Sequence, residues 1–372
     1  MASEPTAIAA VRSDKKRICS EVTYETLTRK DIPLLSRLIN ATRREYEESH
    51  DIRAHSPDYY DWMYFRNPAG HAIVYVGRYR NTLVSSFAVT PKRIQFDGEV
   101  VLCGKTMDMF THPGYQGLGL IKGAVSRVFQ DARSRGIRMW YVTPSNRSYS
   151  IFVNKWRYVE SCRVNYIVRV LDYAAVMASV MRPAALGRLA GTALNVGSGL
   201  LARVPAPDLR FEFRSERKFG PETDTLWQNC RGYRVALVRD AAYMTWRYLE
   251  NPDHYDIVKV YAGSALRGIL VTKFTRRRGL KVGEFVDCVT IPGDSDARRA
   301  IYRYGLRFFQ TEGCAFAQNW AIQGSRWEQE MIRCGIAHRR RRIPVLFSPE
   351  APQPEFYDPD AWFLAPGDGN DL

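Results

Sequence analysis

The stretch His112-Pro113-Gly114-Tyr115-Gln116-Gly117-Leu118-Gly119-Leu120-Ile121-Lys122 lies between an apolar strand, 107–111, and a helical pattern that runs toward residue 132. Glycines at a strand-to-helix turn let backbone N–H groups converge on an anion, and the positive end of the helix dipole adds to the attraction. The spacing therefore predicts an anion cradle at a helix mouth, suited to a pyrophosphate.

Outward from this turn the chain repeats itself. Tyr59, Trp62, Tyr64, Asn67 and Pro68 recur as Tyr243, Trp246, Tyr248, Asn251 and Pro252 at a constant offset. Alternating strands follow at 73–76 and 257–260. Asp108-Met109-Phe110-Thr111-His112-Pro113-Gly114 then lines up with Asp287-Cys288-Val289-Thr290-Ile291-Pro292-Gly293, and each half continues into a helix ending near Gly136 or Gly313, an apolar strand and another helix. The second copy of the turn differs. Where Gly117-Leu118-Gly119 should recur, Asp294 and Asp296 stand, and like charge repels a pyrophosphate. Only the first half is expected to bind one. The recurring aromatic residues Trp62, Tyr64, Trp246 and Tyr248 read as core rather than as a stacking surface.

Composition bounds the rest. The 372 residues suffice for two cores, and the net charge of +15 suits phosphates, acidic glycans or anionic lipid without choosing among them. Arginines bunch at 276–278 and 339–342, a pattern of solvated runs; no recognised nucleic-acid motif accompanies them, so no specific nucleic-acid partner is expected. Seven cysteines stand singly, without metal-ligand spacing, and read as reduced thiols with no metal site. The apparent lack of a signal or a spanning segment predicts a cytoplasmic location. Between the halves, 172–206 is rich in Ala, Leu, Gly and Val, with Arg182, Arg188 and Arg203 spaced through it; it reads as short helices broken by Pro183 that pack between the domains, and such a segment also suits peripheral contact with a membrane.

The run Gln116-x-x-Gly119-x-Ile121 resembles the acyl-CoA pyrophosphate loop of the GNAT superfamily, although Ile121 stands where that pattern has Gly or Ala. The opening strand and helix at 22–38 and the segment Thr143-Pro144-Ser145-Asn146-Arg147-Ser148-Tyr149 are similar to other parts of the same domain, and the "Tyr-x-x-Trp…Asn-Pro" opening resembles a subgroup linked to polysaccharide and cell-envelope assembly. The resemblance implies an α/β fold of two tandem GNAT-like domains, each a mixed, mostly antiparallel sheet flanked by helices. It divides the chain into a flexible terminus (1–20), a domain with the acyl-CoA site (21–171), a helical linker (172–208), a degenerate domain (209–348) and a tail (349–372).

By the same resemblance, acetyl-CoA or another acyl-CoA is held by the backbone of Met109, Phe110 and Thr111, by Gln116, Gly117, Leu118, Gly119, Leu120, Ile121 and Lys122, and by Asn146. The acyl group passes to an amine on a small molecule or glycan precursor such as an amino sugar. Amine attack on a thioester needs a proton acceptor and a donor for the leaving thiolate. Asp108 is the candidate base, although Asp287 repeats it in the half without a loop, which favours a structural carboxylate. The family's proton-donating tyrosine falls at Val153, leaving Tyr149 as the substitute; His112 reads as a turn residue. Two other functions fit the same residues: a GNAT-fold scaffold without catalysis, and an aminoacyl-tRNA-dependent transferase, against which the intact glycine loop argues.

Overall fold

The computed structural model describes residues 15–46, 55–201, 208–333, 338–348, 350 and 354–369. They form helices α1 (Lys15–Glu21), α2 (Ile32–Tyr46), α3 (Pro57–Phe65), α4 (Ile121–Ser134), α5 (Asn146–Ser150), α6 (Tyr173–Val180), α7 (Ala184–Leu201), α8 (Pro221–Gln228), α9 (Ala241–Met244), α10 (Ser295–Thr311) and α11 (Arg326–Arg333). The strands are β1 (Thr23–Thr26), β2 (Ile73–Tyr79), β3 (Thr82–Phe96), β4 (Glu99–Thr111), β5 (Met139–Val142), β6 (Val159–Val170), β7 (Glu212–Ser215), β8 (Val235–Leu237), β9 (Asp256–Ala262), β10 (Ala265–Arg277), β11 (Leu280–Thr290), β12 (Phe316–Ile322), β13 (His338–Phe347) and β14 (Trp362–Phe363). The fold is α/β, a mixed sheet flanked by helices. It divides into two compact units, 1–93 with 102–142, and 94–101 with 143–372.

In the first unit the sheet order is β1-β2-β3-β4-β5. β1, β2 and β3 pair antiparallel, and β4 pairs parallel with β5, a connection that requires a crossover, here α4. α4 buries Ala124, Val125, Val128 and Ala132, one face of a 3.6-residue repeat, and leaves Lys122, Arg127 and Arg133 outside. α3 begins at the Ser56 cap with Pro57 in its first turn and buries Tyr59, Tyr60, Trp62, Met63 and Tyr64. It ends in an Asn-Pro turn in which Asn67 accepts from the N–H of Ala69 at 3.0 Å and donates to the Pro91 carbonyl at 2.7 Å. α1 occupies part of the terminus expected to be flexible: Ile18 and the adjoining Val22 join Tyr79, Val84, Leu118 and Leu120 in one cluster, and that burial holds the segment.

The second unit has a mixed sheet of its own. Its order is β13-β6-β12-β11-β10-β9-β7, with β12 parallel to β11 and the other neighbours antiparallel. Asn251 repeats the Asx turn, accepting from Asp253 N–H at 2.9 Å. Trp246 and Tyr248, like Trp62 and Tyr64, are fully buried, which makes all four core residues. β6, which the chain order puts at the end of the first half, pairs here with both β12 and β13. Pro183 separates α6 from α7, Arg276 to Arg278 sit at the exposed β10–β11 turn, and the side chains of Arg339 to Arg342 lie outside the described residues. Residues 354–369 are packed: Phe356, Trp362, Phe363 and Leu364 are buried.

Candidate functional site

Within the first unit, β4 and β5 pair only from Cys103–Lys105 to Met139–Tyr141, and β4 runs on to Thr111 beyond the end of that ladder. Past the ladder Asp108 takes φ +50°, a left-handed conformation that aspartate tolerates better than most residues. Its carboxylate accepts a hydrogen bond from the Tyr64 hydroxyl, and its carbonyl accepts from Ser86 Oγ at 3.0 Å. Burial first, then the charge of Asp108, pushes the Tyr64 phenol well above its usual range, so it stays a donor. Met109, Phe110 and Thr111 follow, half-buried, and lead into the turn.

The turn uses its backbone groups unevenly. N–H groups of Gly114, Tyr115 and Gln116 are spent locally, on His112 Nδ1, the His112 carbonyl and the Pro113 carbonyl, which makes His112 the turn residue it was expected to be. Those of Gly117, Leu118, Gly119, Leu120 and Ile121 have no acceptor among the described residues, and Leu120, which caps α4, offers no side-chain cap. The carbonyls, by contrast, are tied: Gly117 O accepts from Lys15 Nζ at 3.4 Å, Leu118 O from Cys19 Sγ at 3.5 Å and Leu120 O from Tyr24 Oη at 2.6 Å. Across a trans peptide the carbonyl and the next N–H point opposite ways, so tying these oxygens to α1 and β1 turns the amides of Leu118, Gly119 and Ile121 to the other side. That side is open. Gly117 and Gly119 have φ +75° and +77°, and a Cβ built on either meets nothing within 4 Å. A rim of free amides at an uncapped helix start is an anion site by geometry and charge.

Gln116 is exposed and donates to the Thr111 carbonyl at 3.4 Å; Ile121 is half-buried at the first turn of α4, and Lys122 is exposed beside it. Asp108 through Lys122 are thus consecutive on one strand end, one turn and one helix start. Asn146 and Tyr149 belong to the second unit. Asn146 is an exposed first residue of α5, behind the Ser145 cap. The Tyr149 hydroxyl donates to Glu160 Oε2 at 3.0 Å, and that hydrogen bond, with burial, raises its phenol. Val153 lies half-buried in a π-helical turn, Ile151–Lys155.

Sequence reasoning missed the support beneath the turn. Tyr24 passes under α4 where a Cβ on Gly123 would come 2.2 Å from its ring, and Arg127 covers the ring at 4.9 Å. Gly123, a third glycine in a helix's first turn, was the available signal.

The equivalent place in the second unit is built shut. Asp294 caps α10, accepting from Ala297 N–H at 3.1 Å, and is paired with Arg267; Asp296 is paired with Arg210 and Arg299. Asp287 accepts from Tyr248 Oη at 2.8 Å, the counterpart of the Tyr64–Asp108 pair, but is fully buried against Arg239 at 2.9 Å, and Arg239 also holds Asp368 at 2.7 Å. β11 and β12 pair only over Val282–Glu284 and Phe316–Gln318. Beyond that ladder the turn Pro366–Asp368 lies against both strands: a Cβ on Gly367 would come 3.2 Å from the Val286 carbonyl and 2.1 Å from Tyr248 Oη, and one on Gly369 2.9 Å from the Trp320 ring. Arg247 fixes this turn through the carbonyls of Gly367 and Gly369 at 2.9 and 3.1 Å. Asp287 is a structural carboxylate.

Residues 24–152 match the family described as Acetyltransferase (GNAT) domain. No curated protein is similar enough to match the chain. Among solved structures, Saccharomyces cerevisiae N-myristoyltransferase with bound myristoyl-CoA is similar with a TM-score of 0.61 at 10% identity, covering 88% of this chain and 83% of that one. A GCN5-related N-acetyltransferase from Anabaena variabilis ATCC 29413 gives 0.60 at 10% identity, with 88% and 72% covered. A conserved protein from Enterococcus faecalis V583 described as a probable N-acyltransferase gives 0.59 at 9% identity, with 88% and 72% covered. The fold is similar to that of these solved structures, and the match to a GNAT acetyltransferase domain is confined to residues 24–152.

Proposed function

We propose that the chain is an acyl-CoA-dependent N-acyltransferase made of two copies of one fold, of which the first holds the cofactor and the second does not. The observation that carries this reading is the rim of N–H groups from Gly117 to Ile121, without an acceptor among the described residues, at the uncapped start of α4. The residues fit a pyrophosphate: both glycines leave the approach open, the carbonyls are tied back, and Lys122 adds a cation at the rim. Bound there, an acyl-CoA supplies a thioester carbonyl open to attack by an amine. The backbone of Met109, Phe110 and Thr111, past the end of the β4–β5 ladder, would hold the chain that carries the thioester and donate to its oxygen. Asp108, held by the Tyr64 hydroxyl, would take the proton from the amine as its C–N bond forms, while the thioester C–S bond breaks and CoA leaves as a thiolate that takes a proton from solvent.

The recurrence of Tyr64–Asp108 as Tyr248–Asp287, and of the same strand order around each, supports duplication. The likeness to a myristoyl-CoA-bound N-myristoyltransferase supports acyl-CoA as the donor, with the acyl length open to test. An amine, on an amino sugar or another small molecule, is the acceptor class. The test is thermal stabilisation by acetyl-CoA and longer acyl-CoAs, followed by thiol release on addition of amines. Stabilisation that disappears in Gly119→Glu, which puts a carboxylate into the cradle, supports the reading; no stabilisation by any acyl-CoA sinks it and leaves a non-catalytic scaffold.

A further inference from the structure

α6 and α7 pack on each other through glycine. A Cβ on Gly187 would come 2.5 Å from the Met177 carbonyl oxygen, and one on Gly191 2.4 Å from Ala174 Cα, so only glycine allows this approach. The ends are tied by Asn195, which accepts from Tyr173 N–H at 2.7 Å and donates to Asp172 at 2.9 Å. With Gly187 and Gly191 turned inward, Leu186, Leu189, Ala193 and Val196, at i, i+3, i+7 and i+10, form a stripe on the outer side. It is bare: Leu186 is 55% exposed, Leu189 70% and Val196 63%, and Val180 at the end of α6 is 67% exposed. Contiguous apolar residues left in water at helical spacing mark a docking face.

Charge decides what docks. From Tyr173 to Pro207 the charged residues are Arg182, Arg188 and Arg203, with no Asp or Glu. Arg182, in the link between α6 and α7, and Arg188, on α7, are exposed, and Arg203 lies outside the described residues. A second copy docking by the same face would bring these arginines toward their own counterparts with no acid between them. An anionic lipid surface complements both features, taking the apolar stripe at the acyl boundary and the guanidinium groups at its phosphates. No helix among the described residues is long and apolar enough to cross a membrane. We infer that the α6–α7 hairpin is a peripheral docking face for anionic bilayers, with Leu186, Leu189 and Val196 entering the headgroup boundary and Arg182 and Arg188 gripping lipid phosphates. The inference stands on the hairpin alone and is independent of acyl transfer.

Flotation of the full chain with vesicles of phosphatidylcholine, and of phosphatidylcholine mixed with phosphatidylglycerol, tests it. The protein is expected to float with the anionic vesicles alone. Leu189→Ser with Val196→Ser, which leaves every charge in place, is expected to lower partitioning about tenfold at an unchanged unfolding midpoint, since both side chains are exposed. Arg182→Gln with Arg188→Gln is expected to weaken it several-fold. Failure to float with anionic vesicles overturns the inference. So does flotation of the double serine variant at the wild-type level, which assigns binding to the general positive charge, or a dimer in sedimentation equilibrium that the serine pair dissolves, which assigns the face to a second copy.

Discussion

The Tyr64 hydroxyl donates to the Asp108 carboxylate at a left-handed residue near the end of β4, and the same pair recurs as Tyr248 and Asp287 inside a closed ion-pair cluster. One carboxylate is half-buried where its strand has left the β4–β5 ladder; the other is sealed between an arginine and the C-terminal turn. Substituting the two should therefore separate chemistry from stability. Asp108→Asn is expected to lower acyl transfer by roughly a hundredfold with little change in unfolding. Asp287→Asn is expected to destabilise by about 1–3 kcal/mol and leave turnover per folded molecule unchanged. Denaturant unfolding beside thiol-release kinetics reads both, and an Asp108→Asn enzyme with full activity removes that residue from the proposed reaction.

Arg239 is a fully buried guanidinium of the second unit, held between two carboxylates. Burial opposes its ionisation, but Asp287 and Asp368 outweigh that and hold it well above the usual range. Burial pushes the Asp287 carboxyl upward. For an acid raised in the folded state, stability is fully present below its unfolded value, near 4, and declines as pH rises through the folded value. Arg239→Leu removes the guanidinium that pairs with both Asp287 and Asp368, sets the two carboxylates against each other, and should cost about 3–5 kcal/mol near neutrality. Because protonation relieves that repulsion, the deficit should shrink as pH falls toward about 4.5. Urea unfolding across this range checks the sign; a deficit that grows on acidification contradicts it.

Beneath the glycine turn, Tyr24 orients the peptide whose carbonyl it binds. Tyr24→Phe removes the 2.6 Å hydrogen bond to Leu120 and is expected to destabilise by about 1 kcal/mol while weakening acyl-CoA binding several-fold. Gly123→Ala should do more, because its methyl collides with the Tyr24 ring and not with a flexible chain end. Calorimetric titration of both variants distinguishes this support from mere packing, which would alter the unfolding midpoint and leave affinity alone.

What the sequence disclosed follows from where the determining interactions lie. The turn at 112–122 and both Asn-Pro turns are local: glycine φ, a helix start and an Asx turn leave their mark within a few residues. The carboxylates at 294 and 296 were legible for the same reason. The partners of β6 were not, since strand pairing is chosen by distant segments, and chain order suggested the first half. Arg239 and Asp368 are 129 positions apart, and nothing in either neighbourhood announces the other. Asn146 and Tyr149 entered by resemblance; the structure gives Tyr149 a partner, Glu160, that spacing did not suggest.

In the proposed site main-chain amides grip the cofactor's diphosphate, and their resonances report on that grip. Titrating isotopically labelled full-length protein with CoA is expected to move the amide signals of Gly117, Leu118, Gly119, Leu120 and Ile121, while those of Asp294 to Ala297 at the self-capped start of α10 stay in place. Saturable shifts confined to the first group are the predicted result. Signals at 117–121 that do not move while CoA is bound elsewhere, or that do not move at all, would rule out a diphosphate site at the start of α4.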